Sequence, residues 1–150
     1  NQDARARVER GEVGEVRLIS GGYVQDWLLF DTDWNWRLDP AAGGSLRAVG
    51  DIGSHWIDLV TFITGRHVEA VMADLTTFIG VRKQPTGPVE TFSRASAGDT
   101  IDTAMETEDA AGILLRLTGG ARAVVTISQV SAGRKNRLSW EFDGSESAMA

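Results

Sequence analysis

The sequence contains no cysteine and only two histidines. Without thiols it has no disulfide framework, no thiolate nucleophile and no cysteine-based zinc site. It also has no apolar run long enough to cross a bilayer. Basic residues are scarce, because 15 Lys and Arg stand against 21 Asp and Glu, for a formal net charge of −6. Nucleic-acid binding needs concentrated positive charge, so we expect neither a nucleic acid nor a membrane as a partner.

What is present is the composition of one globular domain. The 150 residues are 42% hydrophobic and 24% charged, which is ordinary for a chain able to bury a core. The chain begins Asn1-Gln2-Asp3 without an initiator Met and stops at Ala150 without a closing signal. We interpret it as a piece of a longer protein. We expect a cytoplasmic location, with an export signal upstream left open.

The apolar pattern predicts one major helix followed by successive strands. The helix covers residues 46–64 and ends at Gly65, and a short charged helix covers residues 3–10. The predicted strands cover residues 13–24, 68–79, 111–118, 121–130 and 138–142, with Gly119-Gly120 as a hairpin turn. This order favours an α+β fold, with a largely antiparallel open sheet and the major helix packed on one face.

Two segments lack a regular pattern. Residues 25–44 hold three of the five tryptophans. Residues 80–109 form a polar excursion rich in Gly, Ser and Pro, and a loop of that length is usually functional or disordered. Its composition offers little to bury against the entropy of ordering. We therefore expect residues 80–109 to be the most mobile internal segment, or to be ordered only through a partner subunit.

The stretch GDIGSHWIDL (residues 50–59) places an imidazole among acids on the predicted helix. Asp51, His55 and Asp58 are spaced i, i+4 and i+7, so on an α-helix they share a narrow arc. The neighbouring arc is apolar and is predicted to face the sheet; it holds Ile52, Trp56, Leu59 and Ile63.

An Asp one turn before a His can accept a hydrogen bond from one ring nitrogen and raise the basicity of the other. Such a pair suits a general base that acts on an alcohol. The alternative is a surface ion pair that only stabilises the helix. A metal site would need a further ligand, and His67 lies beyond the predicted helix end.

The stretch GGSLRAVGDIGSHWIDLVTFITG resembles the second-domain helix of the Gfo/Idh/MocA oxidoreductases, the glucose-fructose oxidoreductase and inositol dehydrogenase family. GEVGEVRLISGGYVQDWL resembles the strand after the family's nucleotide-binding domain. TEDAAGILLRLTGGARAVVTISQVSAGRKNRLSWEFDGS resembles its later strands. The resemblance implies that Asp51 and His55 lie beside the nicotinamide and the reacting carbon.

The same resemblance implies that Gln25, Trp27 and Arg37 contact the substrate. Trp27 has core packing as its alternative, and Arg37 has an ion pair with Asp33 or Asp39. Asp58 is interpreted as structural.

The family's glycine-rich dinucleotide fingerprint and its Glu-Lys-Pro lysine are missing from this sequence, and Gly11-Glu-Val-Gly14 has the wrong spacing. Pyrophosphate needs backbone N–H groups at a glycine-rich turn and a helix N-terminus. We therefore predict that residues 1–150 are the substrate and oligomerisation domain, without the Rossmann domain that binds NAD or NADP in the full-length parent. The fragment alone is expected to bind no cofactor and to be inactive.

The implied activity is hydride transfer between NAD(P) and a CH–OH group of a sugar, polyol or related substrate. His55 is the implied acid/base, and Asp51 orients it and binds a hydroxyl. The implied partners are this substrate and the chain's own Rossmann domain. The alternating apolar residues of the strands further predict a second copy that packs on the exposed sheet face. A second hypothesis is a non-catalytic oligomerisation or ligand-binding module of the same fold.

Overall fold

The computed structural model describes residues 1–87 and 99–150. Its helices are α1 (Gln2–Glu9), α2 (Pro40–Gly43) and α3 (Ser54–Thr64), with a 3₁₀ turn at Trp36–Leu38 and a π-helical turn at Val49–Gly53. Its strands are β1 (Val16–Val24), β2 (Val68–Thr76), β3 (Val81–Pro85), β4 (Thr100–Ala104), β5 (Ala110–Leu117), β6 (Arg122–Ser128), β7 (Arg137–Gly144) and β8 (Ala148–Met149). None of the helices in these ranges is long and apolar enough to span a bilayer.

Six strands form one sheet in the order β2-β5-β6-β1-β7-β8, and β3 pairs with β4 in a separate two-stranded sheet. The neighbouring strands of the six are antiparallel except β1 and β6, which run parallel from Leu18↔Arg122 to Val24↔Ser128. The predicted α+β fold with a largely antiparallel sheet is confirmed. The parallel pair brings the carboxyl ends of β1 and β6 to the same edge, and the residues that follow each strand, Gln25 and Gln129, lie there.

The predicted hairpin joins β5 to β6 in antiparallel register. Its connection runs through residues 118–121 rather than through two glycines alone. Gly119 and Gly120 have φ values of +73° and +85°, a left-handed conformation that glycine adopts without the steric penalty of a Cβ. The backbone conformation of this turn thus explains why both positions are glycine.

One face of the sheet carries the core. Burial alternates along β5 and β6. The odd-numbered residues of both strands, from Ala111 to Ile127, are buried, and the even-numbered ones between them face the opposite side. α3 covers the buried face with Trp56, Val60 and Ile63, each at most 1% exposed, and α1 packs beside α3. The Trp56 indole N–H donates to the Ser139 carbonyl at 2.9 Å, which satisfies its polar atom within the core.

The predicted helix over residues 46–64 consists of two parts. At its beginning, the Ser54 N–H donates to the Val49 carbonyl, which is the i→i+5 bond of a π-helical turn. The regular α-helix starts at Ser54 and ends at Gly65, where φ is +64°. Asp51 therefore lies in a wider turn than His55, and the 100° spacing assumed for an α-helix does not hold between them.

Within the excursion at 80–109, β3 and β4 pair antiparallel from Val81↔Ala104 to Pro85↔Thr100. The prediction of a loop over residues 80–109 is therefore wrong for β3 and β4. Residues 88–98 lie outside the described residues, and the mobility of the excursion stays a prediction.

Candidate functional site

Asp51 lies beside the carboxyl ends of β1 and β6, in contact with Arg37 and Gln129. Its Oδ2 is 3.0 Å from the Arg37 Nε and accepts a hydrogen bond from the Gln129 Nε2 at 3.0 Å. The side-chain Nε–H of Arg37 is not aligned as a hydrogen-bond donor, so the contact is an ion pair. Among the described residues, no side chain donates a hydrogen bond to the other carboxylate oxygen, Oδ1. Asp51 is therefore fixed through one oxygen and has a second one open as an acceptor.

Two short turns place Arg37. The Asn35 side chain accepts a hydrogen bond from the Arg37 N–H at 2.9 Å and caps the 3₁₀ turn. The Arg37 guanidinium lies 4.6 Å from the centre of the Trp36 ring, a cation–π contact. The alternative predicted for Arg37 was an ion pair with Asp33 or Asp39, but its ion pair in the described part of the chain is with Asp51.

Gln129 was not among the predicted site residues. It is 2% exposed, its N–H donates to the Asp109 carbonyl at 3.0 Å, and its own carbonyl accepts from the Leu28 N–H at 3.1 Å. A signal was present in the sequence, because Gln129 extends the series of inward-facing odd positions on β6. A polar side chain at an inward position needs a buried partner, and here that partner is Asp51.

His55 is exposed at the first turn of α3 and faces a groove. The groove is lined by Asn1, Tyr23, His55, Asp58, Leu59, Phe62 and Leu138. The rings of His55 and Tyr23 have centroids 6.3 Å apart and are tilted by 54°. In residues 1–87 and 99–150, no hydrogen bond joins His55 to Asp51. The structure thus gives the two motif residues different neighbours.

The other predicted substrate residues follow β1. Gln25 is 1% exposed, and its Nε2 donates to the Asn136 Oδ1 at 2.8 Å. Its backbone is held by the Ser128 carbonyl and the Ser131 N–H, both at 2.8 Å. Trp27 is half-buried. As it stands, the Gln25 side chain contacts the loop after β6 rather than solvent.

Two buried arginines share the carboxylate of Asp109 beneath the site. The Arg82 Nη2 lies 2.9 Å from the Asp109 Oδ1, the Arg47 guanidinium binds the same oxygen, and all three side chains are fully buried. Arg82 also donates to the carbonyls of Leu28 and Phe30, at 2.9 and 2.8 Å. The cluster therefore ties the segment after β1 to the residue four positions before Asp51.

Burial by itself raises the pKa of Asp109, but the Ile79 N–H and the two guanidinium groups outweigh it and hold that pKa below the usual range. The Ile79 N–H donates to the Asp109 Oδ2 at 2.8 Å. Burial lowers the pKa of Arg82, and the hydrogen bond that Arg82 donates to Asp109 opposes that shift. Asp109 is thus the ionised centre that makes burial of two guanidinium groups tolerable.

The helix N-terminus in front of Asp51 is already occupied by an acid. The Glu108 carboxylate accepts hydrogen bonds from the backbone N–H of Arg47 at 3.0 Å and of Val49 at 2.8 Å. Free N–H groups at a helix start are what a pyrophosphate binds, so this helix start does not fit the phosphates of a dinucleotide. Among the described residues, no group of three or more His, Asp and Glu is placed to hold a metal ion.

Comparison with known proteins agrees with this arrangement. The GFO/IDH/MocA C-terminal domain model matches residues 1–150. Levoglucosan dehydrogenase of Pseudarthrobacter phenanthrenivorans is 28% identical over 147 residues, which are 97% of this chain and 37% of that protein. The chain therefore spans well under half of this relative's length.

Solved structures share the fold. An oxidoreductase domain protein from Kribbella flavida is 33% identical, with a TM-score of 0.82 over 98% of this chain and 35% of its own. Levoglucosan dehydrogenase in complex with NADH and levoglucosan is 27% identical, with a TM-score of 0.80 over 97% of this chain and 35% of its own. With its Asp51–His55 helix lying against an open, mostly antiparallel sheet, the chain belongs to the Gfo/Idh/MocA family, as a C-terminal domain of that family.

Proposed function

We propose that this chain is the substrate domain of an NAD(P)-dependent oxidoreductase that acts on a CH–OH group of a sugar, polyol or related compound. The observation that carries the proposal is the Asp51 carboxylate, which Arg37 and Gln129 hold by Oδ2 while Oδ1 accepts no hydrogen bond from the described residues. The exposed His55 lies four residues further along the chain. A relative whose structure contains both NADH and levoglucosan supports the reaction and substrate class.

The bound cofactor, NAD or NADP, would supply the hydride acceptor, and a nucleotide-binding domain in the full-length protein would hold most of it. In this chain, His55 takes the proton of the reacting hydroxyl on a ring nitrogen and returns it in the reverse direction. Asp51 accepts a hydrogen bond from a substrate hydroxyl through Oδ1. Arg37 keeps Asp51 in place and balances its charge, and Trp27 borders the substrate on the side of β1. Gln25, whose side chain is buried against Asn136, supports that border from the interior.

The same domain is proposed to assemble the protein. On the sheet face opposite α3, Leu114 lies beside Met72 on β2 and Val124 on β6, and these three side chains are 44%, 67% and 45% exposed. Exposed apolar rows of this kind are uncommon on monomers. A second copy of the chain, packed sheet to sheet, would cover them.

The test is an assay of the full-length protein that contains this chain. NAD⁺ and NADP⁺ are each offered with a panel of sugars, polyols and levoglucosan, and reduced nicotinamide is followed by its absorbance. We expect turnover with at least one pair and a kcat about 10²-fold lower in Asp51→Asn, with Asp102→Asn on the exposed β3–β4 hairpin as the control. Absence of turnover over the whole panel, or an Asp51→Asn variant as active as the wild type, would contradict the proposal.

A further inference from the structure

We propose that Gln129 is a positioning residue for Asp51, and that its amide is retained for the reaction rather than for the stability of the fold. This inference rests on the proposed function. The contact with Asp51 fixes the orientation of the Gln129 amide. A carboxylate can only accept hydrogen bonds, so the NH₂ group of Gln129 must face Asp51, and Nε2 lies 3.0 Å from Oδ2.

That orientation leaves the amide oxygen without a partner. Gln129 Oε1 is buried and accepts no hydrogen bond from any described residue. A buried polar atom without a partner lowers the stability of a fold. Nothing in the described packing requires an amide at this position, because the backbone of Gln129, not its side chain, pairs with Asp109 and Leu28.

What the amide does provide is a fixed carboxylate. Gln129 and Arg37 reach the same oxygen of Asp51 from different elements, the end of β6 and the 3₁₀ turn before α2. Two contacts to the same oxygen oppose rotation of the carboxylate and leave Oδ1 without a hydrogen bond from the described residues. A reacting group misplaced by about 1 Å can lower a rate by about 10²-fold. The gain in rate from a fixed Asp51 therefore explains why an amide stands here although its oxygen is unpaired and lowers the stability of the fold.

The experiment compares Gln129→Met with Thr107→Val in the full-length protein. Met removes both amide atoms at similar volume. Thr107→Val is the matched control, because the Thr107 hydroxyl is also buried without a partner and does not contact Asp51. We expect both variants to unfold at a temperature no lower than the wild type. Only Gln129→Met should lower kcat, by about 10- to 100-fold.

A coupling measurement separates positioning from general damage. In the Asp51→Asn background, where the carboxylate is gone, Gln129→Met should lower kcat by less than about threefold further, since neighbours in one network are not additive. A Gln129→Met protein with kcat within about twofold of wild type, or one whose loss multiplies with that of Asp51→Asn, would overturn the inference. A drop in unfolding temperature that parallels the loss of kcat would also overturn it. A wild-type protein without any turnover would instead contradict the proposed function, and this inference with it.

Discussion

The Nε of Arg37 lies 3.0 Å from Oδ2 of Asp51, with both side chains about one-fifth exposed, at 22% and 18%. The pair joins the 3₁₀ turn at Trp36–Leu38 to the π-helical turn at Val49–Gly53. An ion pair at this depth is less screened than one on the surface. The contact with Asp51 makes Arg37 part of the proposed site.

We predict that Arg37→Met lowers turnover of the full-length protein by about tenfold or more, because Gln129 alone would then hold Asp51, and a reacting group misplaced by about 1 Å can lower a rate by about 10²-fold. The variant keeps the length of the side chain and removes its charge. Arg17→Met is the control, since Arg17 is 66% exposed and lies 4.0 Å from its nearest acid, Glu15. Steady-state kinetics of both variants check the prediction, and equal kcat values for the two would contradict it.

Asp109→Asn should strongly destabilise the domain. Removing one partner of a buried ion pair leaves an uncompensated charge and typically costs about 3–5 kcal/mol, and here two fully buried guanidinium groups lose their shared carboxylate. Urea denaturation of the 150-residue chain measures the free energy of unfolding. The control is Asp102→Asn, which removes the partner of Lys83 on the exposed hairpin and should leave the midpoint unchanged. A urea midpoint for Asp109→Asn equal to that of the wild type would show that the Arg47–Asp109–Arg82 cluster does not stabilise the fold.

The free energy of unfolding should also decrease at low pH, because Asp109 is then protonated. Its pKa is lower in the folded chain than in the unfolded chain, so the unfolded chain binds more protons between the two values. Stability is then fully present above the unfolded pKa of about 3.9 and decreases as the pH falls through the folded pKa. Unfolding free energies measured from pH 6 downward should fall below about pH 4. A flat dependence through that range would contradict the assignment.

The sheet face predicts self-association. Leu114→Glu places a charge in the middle of the Met72–Leu114–Val124 row and should shift the protein toward monomer, because an interface does not tolerate an unpaired buried charge. Ile101→Glu on β4, where the side chain is 59% exposed, is the matched control. Sedimentation velocity over a concentration series distinguishes the species. A wild-type protein that is monomeric at high micromolar concentration would remove the basis for this face as an interface.

The sequence predicted those elements whose pattern is local. The inward and outward alternation of β5 and β6, the glycine pair between them and the end of α3 at Gly65 follow from side-chain period and backbone preference. β3 and β4 were missed because VRKQP contains a Pro and charged residues, which are uncommon in strands. Arg82 is nevertheless buried in β3, since Asp109 and main-chain carbonyls compensate its charge.

In the candidate site, too, features with a local pattern could be predicted and long-range contacts could not. The motif pair of Asp51 and His55 was recognisable from its spacing and its resemblance. The inward position of Gln129 follows from the alternation along β6, but its pairing with Asp51 could not be predicted. The two residues lie 78 positions apart, and no sequence period encodes a contact over that distance. The π-helical turn also changes the relation between Asp51 and His55, and the apolar pattern gave no sign of that wider turn.

The most direct test of the account is the effect of His55→Ala on turnover of the full-length protein with NAD(P) and its best substrate. The chain provides its own control in His67→Ala, since His67 is its other histidine and is likewise exposed, beyond the end of α3. Loss of a positioned acid/base typically lowers a rate by about 10²–10⁴-fold. The account predicts a loss of this size for His55→Ala, with an unfolding temperature like that of the wild type, and no change for His67→Ala. Wild-type turnover in His55→Ala would contradict the central claim.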